Sequence, residues 1–345
     1  MTPENAPTTP TSPADVPDQS GEPPAPACVM CFNASDASGA AGLAGDIATI
    51  SAMGAHALPV VTSIVMRDTA DIFDQQAIDP EAVAEQARTV LEDVTVGGWK
   101  VGFLGSADGV SAVAEILSDY ADVPLVAYLP SLAWLDEDQL QPYLDAFREL
   151  ILPAAEVLVG NHKALQDFLL PEWDSERPPS ARELAVAAGE HGTRHVLVTG
   201  ILLPPKGKEQ FIDNVLATPQ GAIAGEKFEM FDAGFVGAGD TLSAALAALL
   251  ASGAEVPAAV SEALSFLDQS LDAGFRPGMG NIVPDRFFWA LPPPEDGEGE
   301  GAAGAPGGPG GGSGGPGGSG GPGGPGGAPP GFDEPKTKGT PRRVH

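Results

Sequence analysis

Between residues 27 and 292 the chain alternates short apolar runs with longer stretches of helical period, and this rhythm limits the fold more than any single motif. The runs CVMCF (28–32), PVVTSIV (59–65), WKVGFL (99–104), VPLVAYL (123–129), EVLVG (156–160) and HVLVTG (195–200) read as strands. Helical segments lie between most of them. SGAAGLAGDIATISAMGA follows the first run, and EAVAEQARTVLED (81–93) carries Val83, Ala87 and Leu91 on one face. From Val256 to Gly274, Pro257 suits the first helical turn, and Val260, Leu264, Leu267 and Leu271 form a stripe. This alternation predicts an α/β fold with a central, mostly parallel sheet and helices on both faces. Ligands of such sheets bind beyond the carboxyl ends of the strands.

Composition marks the boundaries of that region. Residues 1–26 are rich in Pro, Thr, Asp and Glu, and residues 293–345 in Gly, Pro and acid. Neither segment holds enough apolar surface to offset chain entropy, so both are expected to be disordered. The first has no basic start and no apolar stretch, unlike a signal peptide. With 17 basic against 47 acidic residues, the formal net charge is −30. A nucleic-acid or anionic-membrane surface is not expected, because both need clustered Lys and Arg. No apolar run is long enough to span a bilayer, and a cytoplasmic location is expected. Cys28 and Cys31 form a CxxC within a strand-like run, where positions i and i+3 face opposite sides, so the thiols are not expected to meet.

The segment Gly237-Ala238-Gly239-Asp240-Thr241 opens directly onto an Ala/Leu helix. Small residues at a helix start leave N–H groups bare and aim the positive end of the helix dipole at their surroundings. Such a place holds an anion such as phosphate. A carboxylate beside it makes chemical sense if it takes a proton from a hydroxyl that attacks that phosphate. Asp240 is therefore the candidate general base; the alternative reading is a helix N-cap. GxxxxGK[ST] and GxGxxG are both absent.

Other candidates sit at strand ends. Ser35 to Gly42 forms a second small-residue loop containing Asp36, in which Gly39 and Gly42 permit close backbone approach. Asp46 lies about two turns into the next helix; it is either a site residue or a solvated helix position, with Ile47 and Ile50 packed elsewhere. Arg67 follows the second strand, either to grip a substrate or as a surface charge. Asn161 follows the run EVLVG. The five histidines show no metal spacing.

Four blocks carry a resemblance: 35–69, KVGFLGS (100–106), GAGDTLSAALAALLASG (237–253) and GFRPGMGNIVPDRFFW (274–289). The chain resembles the ribokinase-like sugar and vitamin kinases, and more closely the hydroxymethylpyrimidine/phosphomethylpyrimidine kinases of thiamine synthesis. The resemblance implies a three-layer α/β/α sandwich over 27–292, ATP with Mg²⁺ as donor, and a hydroxymethylpyrimidine or its monophosphate as acceptor. It places the anion hole at Gly237, Ala238 and Gly239, the base at Asp240, and the acceptor site at Ala34, Asp36, Asp46 and Arg67. Asn161 would help position the metal, and a homodimer is expected. Several positions depart from the family pattern. Arg67 stands where a glutamine is usual, Ala164 where a glutamate is, Ala34 where a glycine is, and Thr199 where a lysine is. Many relatives carry Cys where this chain has Asp240. These departures leave two alternatives: a kinase of another ring alcohol, such as pyridoxal or a nucleoside, or a ligand-binding homologue without catalysis.

Overall fold

A computed structural model describes residues 25–290, apart from residues 208 and 232. The segments read as disordered, 1–26 and 293–345, fall outside that range except for residues 25 and 26. The described residues form a nine-stranded sheet in the order β3-β2-β1-β4-β5-β6-β7-β8-β9. Its strands are β1 (Cys28–Asp36), β2 (His56–Arg67), β3 (Ile72–Ala77), β4 (Gly98–Val101), β5 (Leu125–Leu129), β6 (Val157–Asn161), β7 (His195–Leu202), β8 (Phe211–Thr218) and β9 (Gly221–Glu229). The six strands β2, β1, β4, β5, β6 and β7 pair in parallel; at the two ends β3 pairs antiparallel with β2, β8 with β7, and β9 with β8. The mostly parallel sheet expected from the alternation is therefore present.

Helices cover both faces. On one side lie α2 (Pro80–Leu91), α3 (Ala107–Ser118), α4 (Glu137–Ala146), α5 (His162–Leu169) and α6 (Ala181–Glu190). On the other lie α1 (Gly42–Ala52), α7 (Ala238–Ala251) and α8 (Val256–Asp272). The strands alternate accordingly. Met30 and Phe32 of β1 enter the first core, and Val29 and Cys31 enter the second. Cys28 packs against the first core and Cys31 within the second, and both are free thiols, as the strand reading of CxxC requires. No helix among the described residues is long and apolar enough to cross a membrane.

Two details of the fold position the site. The sheet order turns at β1, with β2 on one side and β4 on the other. That reversal is where open α/β sheets leave a crevice beyond the strand ends. β4 also ends earlier than the run WKVGFL implied. At Gly102 the chain leaves the sheet, and a Cβ there would lie 2.5 Å from the Asn33 side chain.

Candidate active site

α7 starts immediately after Gly237, whose φ of 84° is left-handed, and no side chain caps it. Asp240 is the third residue inside the helix, so the N-cap reading of its carboxylate does not hold. The first N–H to bond within this turn is that of Thr241, to Gly237 O at 2.9 Å. The uncapped turn presents the positive end of a 14-residue helix. Its glycines are needed for packing. A Cβ on Gly237 would meet Ala40 O at 1.9 Å, and one on Gly239 would meet Tyr128 Oη at 2.2 Å. Protein atoms, then, fill the space that the absent side chains leave.

Behind this turn lies a buried polar cluster. Lys100 of β4 is 0% exposed, and its Nζ lies 2.8 Å from Asp46 Oδ1 and 2.9 Å from Asp240 Oδ1. Asn33 of β1 bridges the same two carboxylates, donating from Nδ2 to Asp46 Oδ2 at 2.9 Å and to Asp240 Oδ1 at 2.8 Å. Asn33 Oδ1 accepts from the N–H groups of Ala34 and Phe103, which fixes the amide's orientation. Asp240 Oδ2 receives one bond, from Gly42 N at 3.2 Å. Electrostatics separate the two acids. Burial alone would raise Asp240, but the Lys100 charge and the bonds from Lys100, Asn33 and Gly42 outweigh it and hold the carboxyl below its ordinary value. Asp46 is wholly buried, and burial together with the Asp240 charge lifts it to about 6 despite Lys100. Lys100 is held charged by its two acids against the effect of its burial.

Two cavities meet at the turn. One, of about 260 Å³, is lined by Asp240, Gly237, Asp36, Arg67 and the rings of Phe103 and Trp134, among others. The other, of about 300 Å³, is mainly apolar; Ala238 and Gly239 line it with Phe228, Met230, Leu267 and Leu271. Gly237 and Asp240 thus face one cavity while Ala238 and Gly239 face the other. A group bound at the N–H end of α7 can be shared between molecules seated in the two.

The structure sorts the remaining candidates. Ala34 and Asp36 line the first cavity. The Asp36 carboxylate is engaged within its own loop, accepting from Ser38 N, Ser38 Oγ and Ala41 N. Arg67 also lines this cavity; its side chain is 10% exposed and its Nε stands 3.8 Å from Asp36 Oδ2. The surface-charge reading of Arg67 therefore does not hold. Asp46 does not reach the cavity: it is 0% exposed beneath the site, while its neighbour Ile47 is 40% exposed. Both the solvated reading of Asp46 and its placement at the acceptor are corrected here, because its helix turns that face toward Lys100. Asn161 caps α5, its Oδ1 accepting from Ala164 N at 2.8 Å, and it lines neither cavity.

Sequence reasoning missed Lys100, Asn33 and Arg286 as individual site residues. Arg286 is buried and donates to Thr241 Oγ1 at 3.0 Å and to Ala40 O at 2.7 Å, tying α7 to the loop after β1. A lysine inside an otherwise apolar run was the available signal for Lys100, because a strand buried on both faces admits a charge only with a partner. Asn33 stands in a glycosylation sequon but is buried, and its amide is fully engaged.

Comparison with known proteins places the chain in a family and a fold. The profile of the family described as phosphomethylpyrimidine kinase matches residues 36–285. The hydroxymethylpyrimidine/phosphomethylpyrimidine kinase of Mycobacterium leprae is 31% identical over 242 residues, covering 68% of this chain and 84% of the relative. Among solved structures, an ADP complex of pyridoxal kinase from Bacillus subtilis superposes with a TM-score of 0.67 at 24% identity, over 78% of this chain and 100% of that one. The phosphomethylpyrimidine kinase of Clostridium difficile 630 gives 0.56 at 21% identity, over 70% and 98%. At these identities the two structures bear on the fold, which is the ribokinase-like sandwich.

Proposed function

This chain belongs to the phosphomethylpyrimidine kinase family, and on that premise we propose that it transfers the γ-phosphoryl group of ATP to the hydroxymethyl group of a pyrimidine, as in thiamine synthesis. The same site would serve the monophosphate. The observation that carries this reading is the placement of Asp240 and the uncapped start of α7 at the wall between two cavities. The apolar cavity suits an adenine and its ribose. The smaller one, with Phe103 and Trp134, suits a flat ring.

In the proposed step the acceptor hydroxyl attacks phosphorus in line. Its O–H bond breaks toward Asp240 Oδ2, the new O–P bond forms, and the bond to the ADP oxygen breaks. The N–H groups of Gly237, Ala238 and Gly239 hold the transferring oxygens, where charge is spread in the transition state. No covalent enzyme intermediate is needed. Among the described residues no group of three or more His, Cys, Asp or Glu is assembled to hold a metal. Mg²⁺ belongs to this reading as the companion of the nucleotide's phosphates, and Asn161, whose Oδ1 caps α5, keeps its indirect part in placing it as a proposal. ATP is drawn from the cytoplasm, and the acceptor is a small molecule rather than nucleic acid or lipid. A homodimer is part of the proposal, with exposed Ile64, Met66 and Phe73 on the β2–β3 edge as its candidate contact.

The test is Asp240→Asn. ADP release with hydroxymethylpyrimidine should fall by about 10²- to 10⁴-fold while ATP still binds by calorimetry. Turnover within a few-fold of the parent would remove the base from the scheme. A second reading is favoured by Arg67, which can only donate and is always charged where it lines the acceptor cavity. It suits a ring alcohol carrying an anionic oxygen, such as pyridoxal. Comparing kcat/KM across a panel of ring alcohols decides between the two.

A further inference from the structure

The buried cluster behind Asp240 is more than the proposed reaction requires of a general base. Two carboxylates come from two helices, Asp46 from α1 and Asp240 from α7, and two donors come from adjacent strands, Asn33 from β1 and Lys100 from β4. Only Asp240 of the two acids lines a cavity, with 12% of its side chain exposed; Asp46 and Lys100 are sealed. Burying a lysine with two acids is expensive, and apolar residues of the same volume would pack at least as well. The arrangement is also asymmetric. Oδ1 of Asp240 is saturated by Lys100 and Asn33, whereas Oδ2 takes the single bond from Gly42.

We propose that Lys100, braced from behind by Asp46, is the positioning residue of Asp240: it anchors Oδ1 and leaves Oδ2 as the atom that takes the hydroxyl proton. This inference rests on the phosphoryl-transfer reading. The proton moves from the acceptor oxygen to Oδ2 as the O–P bond forms, and Lys100 keeps its own protons throughout. Removing the lysine takes away the charge that opposes protonation of Asp240. The carboxylate is then protonated at higher pH than in the parent, so the base loses activity over a wider acid range.

The charged and titratable groups around Asp240 come from every neighbouring element. They are Lys100, Asp46, Arg286 and Tyr128, with Asp36 and Arg67 across the cavity and Cys31 beside Asp46 and Lys100. Burial raises both the Tyr128 phenol and the Cys31 thiol, so neither titrates near neutrality. Lys100 also sits 5.5 Å above the Tyr128 ring. Within this set Lys100 is the positive charge in contact with the Asp240 carboxylate.

The experiment compares the full-length parent with Lys100→Met and Asp46→Asn. It measures the pH profile of kcat with ATP and hydroxymethylpyrimidine, and titrates the Asp240 carboxyl carbon by ¹³C NMR without substrates, assigned with Asp240→Asn. For Lys100→Met the acid limb of kcat should move up by about one pH unit or more, and the NMR titration with it. The fall in kcat should be greatest on the acid side and shrink as the pH rises, with KM for ATP within about threefold. A purely structural lysine would lower kcat equally at every pH and leave both titrations where they were, and that result overturns the proposal. If Lys100→Met does not fold, Asp46→Asn decides. Removing the second carboxylate takes away both its repulsion and its share of Lys100, so the Asp240 titration should shift to lower pH, and an unshifted titration counts against the coupling of the three groups. A parent that phosphorylates no ring alcohol sinks the kinase reading by itself; the NMR titration then still decides whether Lys100 holds Asp240.

Discussion

At the scale of single residues, the site depends on side chains that are missing. Gly239 lets α7 start against the Tyr128 ring, whose Oη, Cζ and Cε2 would lie 2.2 to 2.6 Å from a Cβ. Gly239→Ala forces that ring or the helix start to shift. Overpacking of this kind costs about 1–3 kcal/mol, which for a domain of this size lowers Tm by roughly 2–10 °C. In a thermal double-mutant cycle with Tyr128→Ala, the second change should cost clearly less than it does alone. Additive costs would show that the ring is not what the Cβ meets. Gly237 is more demanding still, because it combines a left-handed φ with contact to Ala40 O. The GAGD pattern was legible as an uncapped helix start, but the reason for each glycine was not. Tyr128 lies 111 residues before Gly239 in the chain (239 − 128 = 111), and no local rule connects them.

At the scale of elements, Arg286 acts as a clamp. It joins the segment after α8 to the α7 start through Thr241 Oγ1 and to the β1–α1 loop through Ala40 O. A lysine cannot reproduce that fork. Arg286→Lys should lose about 2–4 kcal/mol of buried, charge-assisted bonding, read as a fall in Tm, and should weaken ATP because the turn loses its support. Unchanged Tm and ATP affinity would show that the clamp is dispensable. The interior strands were legible from sequence because parallel strands buried on both faces read as continuous apolar runs. β3, β8 and β9 were not. They pair antiparallel at the ends of the sheet, β3 and β9 as its edges and β8 between β7 and β9, and IFDQQA and GAIAGEKFE carry too many polar residues and glycines to stand out. Lys100 was hidden for a related reason. Its partners, Asp46 and Asp240, lie 54 and 140 residues away, and only the folded sheet brings them together.

At the scale of the whole molecule, the charge of −30 opposes the approach of a nucleotide. The proposed ATP contacts are backbone N–H groups and a helix end, not a basic surface. Salt should therefore relieve the long-range repulsion while doing little harm to the short-range contacts. KM for ATP, at fixed free Mg²⁺, is expected to stay level or fall between about 50 and 300 mM KCl. A rise of fivefold or more would mean that lysines or arginines carry the phosphate contact.

Trp134 stands at the rim of the ring-sized cavity, 5.2 Å edge-on to Phe103. An indole in that place is a built-in optical gauge. A flat heterocycle sliding in beside it should quench or shift its emission before any phosphorus moves, so occupancy of the acceptor pocket can be followed in real time without label or turnover.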